Sequence, residues 1–505
     1  MSFTLIKNAN IADGSGSESR AGDVAFENGM IAAVGQNLPK TGAGKIIDAR
    51  GLCLAPGFID SHGHSDISIL AAPEATGKIS QGVTTEIVGN CGLSAFPVTD
   101  KNREHLEELY RNYNEKLTWT DAAGYAKELS GRNPAINIVS LCGHNSLRAA
   151  VCGYEKKEIS GEDISTMKEL LSKNLRQGAV GFSTGLLYVP GKFAKSPEIV
   201  ELLKELSSAA KPYCTHLRSE SMFLVESIRE SICMCAASGA PKLHISHLKT
   251  ARKENWGKLD EALSAIDEGR KQDIEITADR YPYIESMTQL SIILPDSYGD
   301  LDSVSLEKKL AEPGAPEDLE KKLKSASPDR WKNIKLICCA QKDLKAMFGK
   351  SLEEIAQKTG ISPERLCVDI LREDSAGALA AFCGGMSLDN MRKIIRQPFV
   401  ACGSDENARP EDYSIGRSHP RAFGSFPRFI NMVRQSEGLE EAIRKITSLP
   451  AAIFGLKKRG LIKPGFIADM ALFDPDKLKD NADFANPHAL CEGIEKVFVS
   501  GNEAL

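Results

Sequence analysis

No stretch of the sequence approaches eighteen consecutive apolar residues, so no membrane-spanning helix is expected. The opening segment, MSFTLIKNANIADGSGSESR, lacks the basic start and apolar core of a secretory leader. No charge of one sign dominates either. Lys and Arg total 63 against 68 Asp and Glu, a net charge of −5, so neither a nucleic-acid footprint nor a polybasic membrane patch is expected. A disulfide framework is also missing. The 13 cysteines are odd in number and scattered, often beside strand-like runs such as KLICCA, FVACGS and IVSLCGH. That pattern points to a reducing cytoplasm, with most thiols acting as small buried hydrophobes.

What is present is the composition of a soluble globular protein, 42% hydrophobic and 26% charged. Length alone suggests about three domains, although one α/β barrel can absorb about 250 residues. Residues 1–55 alternate apolar and polar positions between Gly and Asn-Gly turns, and residues 451–505 have the same texture. They predict one small β domain, a sandwich or barrel, assembled from both ends.

Between them, residues 56–450 alternate strands with amphipathic helices. Eight strand candidates follow in order: GFIDSH, VTTEIVGN, AINIVSLCG, GAVGFST, PYCTH, KLHISH, IEITADRY and FVACGSD. Helical stretches such as 196–211 and 258–273 separate most of them. Eightfold strand–helix alternation predicts an α/β fold, a TIM-like (β/α)8 barrel. The gap of about 115 residues before the eighth strand is too long for one helix, so a subdomain is expected over roughly 286–336.

Candidate ligands fall at the C-terminal ends of these strands, where such barrels carry their chemistry. His62 and His64 end strand one, Cys91 strand two, His216 strand five, His247 strand six and Asp405 strand eight. Residues i and i+2 of a strand share a face, so His62 and His64 can both point inward. Each residue alone has a plainer reading: a hydrogen-bonded core histidine, a buried cysteine, an aspartate capping a helix. Together they form a mixed N/S/O set suited to zinc. Strand parity turns His244 away from His247, so it stays outside the set. His144 ends strand three and is left open. His105, His419 and His488 are expected to be structural or on the surface.

The segments PGFIDSHGHSD, GVTTEIVGNCG, GLLYVPG, THLRSE, SHLK, ADRYPY, GSDE and HPRAFGSFPR occur in this order along nearly the whole chain. In this they resemble the amidohydrolase superfamily, and within it the N-acyl-D-amino-acid deacylases (D-aminoacylases). In many amidohydrolases a carboxylated lysine bridges two metals; in this branch a cysteine takes that place, here Cys91. The resemblance implies one tightly held Zn2+ on Cys91, His216 and His247. It implies a second, weakly occupied metal position at His62, His64 and Asp405. Asp405 would be the general base and acid, metal-activated water would attack the amide, and a small N-acyl-D-amino acid would yield a carboxylate and a free D-amino acid. Lys249, two residues beyond His247, has the parity to face the pocket and matches a substrate-carboxylate anchor. Tyr188 and Tyr283 match positions that bind substrate through their hydroxyls. Arg218 and Glu220 could support His216 from behind.

Four residues depart from the family pattern: Arg280, Glu285, Met287 and Phe423. Glu285 is expected near the substrate side chain, where its charge would disfavour acidic D-amino acids. The competing enzyme class is a cyclic-amide hydrolase of dihydroorotase or hydantoinase type. Such relatives keep the bridging lysine, and GAVGFSTGLLYVPG offers none. A barrel that had lost its chemistry would lack ligands, yet all six positions are filled.

Overall fold

The computed structural model describes residues 3–207, 210–325 and 328–505. Eight short strands form the central barrel. They are β1 (Phe58–Asp60), β2 (Val83–Val88), β3 (Asn137–Ser140 continuing into Cys142–Gly143), β4 (Phe182–Gly185), β5 (Tyr213–His216), β6 (Lys242–Ile245), β7 (Glu275–Arg280) and β8 (Val400–Cys402). Each coincides with one of the eight sequence candidates. β1, β2 and the first part of β3 pair in parallel, and the second part of β3 continues the ladder through β4, β5, β6 and β7 to β8. Leu141 carries β3 from one ladder to the other, its N–H donating to the Val88 carbonyl at 2.9 Å while the Cys142 N–H donates to Gly181 at 3.0 Å. The ring closes between β1 and β8. The Ser61 N–H donates to Cys402, the Asp405 N–H to His62 and the His64 N–H to Glu406, at 3.1, 2.7 and 3.1 Å.

The flanking helices follow the 3.6-residue apolar period. Ser196–Ser207 buries Ile199, Leu202, Leu203 and Leu206; residues 208–209 of the expected 196–211 helix lie outside the described residues. Leu259–Arg270 buries Leu259, Ala262, Ala265 and Ile266 in the same way. Among the described residues no helix is long and apolar enough to cross a membrane.

The two chain ends share one eight-stranded sheet. Its seam is Cys53–Pro56, parallel to Phe3–Ile11 on one side and antiparallel to Met470–Phe473 on the other. An antiparallel bridge between Met30 and Ile467 curls the far edge back over a core that includes Ile6, Val24, Phe26, Leu54, Leu472 and Phe498.

The insertion before β8 is longer than the 286–336 expected from sequence. Its three-stranded antiparallel sheet uses Ser286–Gln289, Ile334–Cys338 and, in the middle, Leu379–Phe382. A separate apolar cluster spans Leu290 to Ala380, with Leu319, Ile355 and Ile370 at 0% exposure. The polar helix pattern of 303–324 disguised the boundary, because the strand that completes this sheet lies about 40 residues beyond it.

Candidate metal centre and active site

Cys91 is the point where the barrel rim converges. Its Sγ lies 3.4 Å from His62 Nε2, 3.5 Å from His216 Nδ1 and 3.4 Å from His247 Nε2. Sulfur and nitrogen ligands of one tetrahedral zinc stand about 3.6 Å apart, given bonds of about 2.3 and 2.1 Å. The donor set therefore fits such an ion. His64 Nε2 approaches Asp405 Oδ1 at 3.1 Å, and His62 Nε2 reaches the same oxygen at 3.6 Å. All six residues singled out in the sequence thus meet at one centre. The expected division into two ligand trios is not sharp, because His62 is as close to Cys91 as His216 is.

The backbone pays a local cost to bring these groups together. Cys91, His247 and Asp405 all sit at positive φ, 52°, 34° and 53°. Non-glycine residues adopt that region rarely, and mostly where the surroundings impose it. Between the two histidines that follow β1, only glycine fits: a Cβ on Gly63 would lie 1.8 Å from Glu86 Oε1.

The positive φ at His247 also corrects the reading of His244. Regular alternation ends at Ile245, so His247 turns inward although His244 faces inward too. His244 binds Asp279 Oδ2 through Nε2 at 2.9 Å and Thr277 Oγ1 through Nδ1 at 2.8 Å. Asp279 also meets His62 Nδ1 at 3.1 Å and accepts the His247 N–H at 2.8 Å. One fully buried carboxylate therefore orients two candidate ligands. Glu220 does the same on the other side, 2.8 Å from His247 Nδ1 and 3.6 Å from His216 Nε2. Carboxylates behind histidine rings fix the tautomer and raise ligand basicity. His144 does not reach the site. It opens a helix and binds Glu198 at 2.8 Å. His419 and His488 are buried structural rings, whereas His105 lines the cavity wall and faces Asp302 at 3.4 Å.

A cavity of about 1480 Å³ opens above the centre, walled by the rim loops and the inserted subdomain. Lys249 and Tyr188 line it as expected. Lys249 Nζ is held by Glu220 Oε1 at 2.5 Å and lies 2.8 Å from His247 Nδ1. Tyr283 does not line it. Arg280 donates to the Tyr283 carbonyl at 2.8 Å and stacks on the Tyr281 ring at 4.0 Å. This turn leaves Tyr281 on the cavity and buries the Tyr283 ring against Arg428 and His419. Glu285 is likewise absent from the lining, which takes Ser286, Met287 and Thr288 instead. The expected repulsion of acidic side chains by Glu285 therefore loses its basis.

The deciding comparison is with known sequences. The amidohydrolase family model matches residues 45–211 and 360–504. The chain belongs to the amidohydrolase family. It is 31% identical to the N-acyl-D-glutamate deacylase of Alcaligenes xylosoxydans xylosoxydans over 98% of this chain and 92% of that protein. It is 32% identical to the D-aminoacylase of the same organism, over 98% and 93%. The crystal structure of the Bordetella bronchiseptica N-acyl-D-glutamate deacylase, complexed with zinc and a phosphonate mimic of the tetrahedral intermediate, superposes with a TM-score of 0.83. It is 30% identical and covers 99% of this chain and 96% of that one.

Two residues of this amidohydrolase escaped the sequence reading altogether. Arg421, in HPRAFGSFPR, opens the helix Arg421–Glu437 and sets Nη1 3.0 Å from Asp405 Oδ2. Asp279 hides in ADRYPY, where only strand parity on β7 could have pointed it inward. The charges are strongly coupled. Burial alone would raise the Cys91 thiol, but His62 and His247, with hydrogen bonds from His216 and His247, hold it well below its ordinary range. Burial likewise opposes ionisation of Asp405, and Arg421 and His64 outweigh it. Tyr281 is buried, yet Lys249, Arg280 and Arg421 lower its phenol.

Proposed function

We propose that this amidohydrolase is a zinc-dependent N-acyl-D-amino-acid deacylase, hydrolysing a linear amide to a carboxylate and a free D-amino acid. The observation that carries the reading is the single cysteine thiol ringed by three histidine nitrogens at 3.4–3.5 Å on the barrel rim. Cys91, His216 and His247 are read as the tight zinc ligands, and His62, His64 and Asp405 as the weaker second position. Bound zinc would supply Lewis acidity towards the amide carbonyl and make water a better acid.

The chain's own residues supply the rest. Asp405, half-buried and ionised between His64 and Arg421, accepts the proton of the attacking water and returns it to the departing nitrogen. Water oxygen joins the acyl carbon, the C–N bond breaks, and the amine leaves protonated. Lys249, Arg421 and the unpartnered Tyr281 hydroxyl surround one part of the cavity and suit the substrate α-carboxylate. Tyr188, its ring 5.0 Å from His216 and its hydroxyl 3.3 Å from Thr288 Oγ1, suits the amide side of the substrate. Tyr283 packs behind Tyr281 rather than binding substrate. The 13 free cysteines support a reducing, cytoplasmic location.

Cyclic amides are the second reading. It is weakened at the end of β4, where Thr184 and Gly185 stand in place of a bridging lysine. The test is a panel of N-acetyl-D- and N-acetyl-L-amino acids, with dihydroorotate and hydantoins, offered to zinc-loaded protein. Amine release from D-substrates alone is expected; turnover confined to L-substrates or rings would overturn the assignment.

A further inference from the structure

Of the cations on the cavity wall that the chemistry above does not use, among them Arg252, Arg330, Lys342, Lys345, Arg409 and Arg417, Arg252 follows the carboxylate-binding Lys249 most closely in the chain. Arg252 lies three residues beyond Lys249, lines the cavity and is exposed. Its backbone sits at φ 67° and ψ 135°, a conformation glycine adopts freely and an arginine only under strain. The loop is held there from both sides. The Ala251 N–H donates to the Glu220 carbonyl at 2.7 Å, and the Arg252 carbonyl accepts from the Asn255 N–H at 3.0 Å.

The carboxylates around the cavity are accounted for. Glu220 is paired with Lys249, Asp405 with Arg421 and Asp302 with His105, while Asp66 is buried. Among the described residues no carboxylate lies within ion-pairing distance of Arg252. An arginine without a carboxylate partner, three residues beyond a carboxylate-binding lysine on the same cavity wall and on a strained loop, has the form of a recognition element. Nearby wall residues Met287, Thr288 and Met386 bring no competing charge.

We infer that Arg252 is a specificity-determining residue that binds a second carboxylate of the substrate, beyond the α-carboxylate. That group could belong to the D-side chain or to the acyl chain; the chemistry recognised is the same. The inference rests on the deacylase reading. It reverses the expectation drawn from Glu285, because the carboxylates on the wall are paired or buried while Arg252 has no carboxylate partner.

The test compares kcat/KM for N-acetyl-D-glutamate, N-succinyl-D-alanine and N-acetyl-D-leucine in wild type, Arg252→Gly and Arg252→Lys. Glycine suits the backbone, so a folding defect does not confound the result. Arg252→Gly should lose about 10- to 100-fold on whichever dianionic substrate is preferred and change less than threefold on N-acetyl-D-leucine. Arg252→Lys should restore part of the loss. A fall with N-acetyl-D-glutamate alone locates the second carboxylate on the side chain, and with the succinyl substrate alone on the acyl group. Equal wild-type rates on neutral and dianionic substrates, or an equal fall on all three, would overturn the inference and leave the deacylase reading standing. Hydrolysis of no N-acyl-D-amino acid would overturn both.

Discussion

Glu220 Oε1 lies 2.8 Å from His247 Nδ1, and His247 therefore turns its other nitrogen, Nε2, towards Cys91 Sγ. The carboxylate decides which face of the ring can bind metal. Glu220→Gln should weaken zinc binding about 10- to 100-fold with little change in fold. Competition against a chromophoric chelator reads that shift directly.

Asp405 touches both the ligand cluster and the cation that keeps it ionised. Asp405→Asn preserves the shape and removes the proton acceptor. A fall in kcat of about 10²- to 10⁴-fold is expected, with zinc retained at the Cys91 cluster. Steady-state kinetics beside metal analysis on the same sample separates loss of chemistry from loss of metal.

Beneath the site a buried lysine joins β1, β2 and β8. Lys78 Nζ binds Asp60 at 2.7 Å and Ser404 at 2.8 Å, with Glu86 at 3.4 Å, all at 0% exposure. Lys78→Met would leave two carboxylates without their cation. A loss of about 3–5 kcal/mol in stability is expected, measured by urea denaturation.

His105 and Asp302 tie a barrel loop to the inserted subdomain. Burial raises the Asp302 carboxyl, but His105 and Ser305 bring it down to about 2 from an ordinary 3.8. A depressed carboxyl adds stability above its unfolded value and loses it as pH falls through its folded value. Asp302→Asn should therefore lower Tm at neutral pH, and the difference from wild type should shrink between about pH 4 and pH 2. Thermal scans across that range check the sign.

The barrel was legible because eight strand–helix units repeat, and the six rim residues because each ends a strand. What escaped has physical causes. His244 was turned the wrong way because strand parity assumes regular φ, and His247 departs from it. Tyr283 and Glu285 fell off the cavity because Arg280 tightens the turn after β7, a contact no local pattern announces. Asp279 and Arg421 act through partners far away in sequence. The end of the insertion was missed because its middle strand arrives last.

Cys91→Ala tests the account most directly. Zinc content and hydrolysis of N-acetyl-D-amino acids should disappear together in a variant whose circular dichroism matches wild type. Full retention of both zinc and D-specific activity would contradict the assignment of Cys91 as the centre of the site.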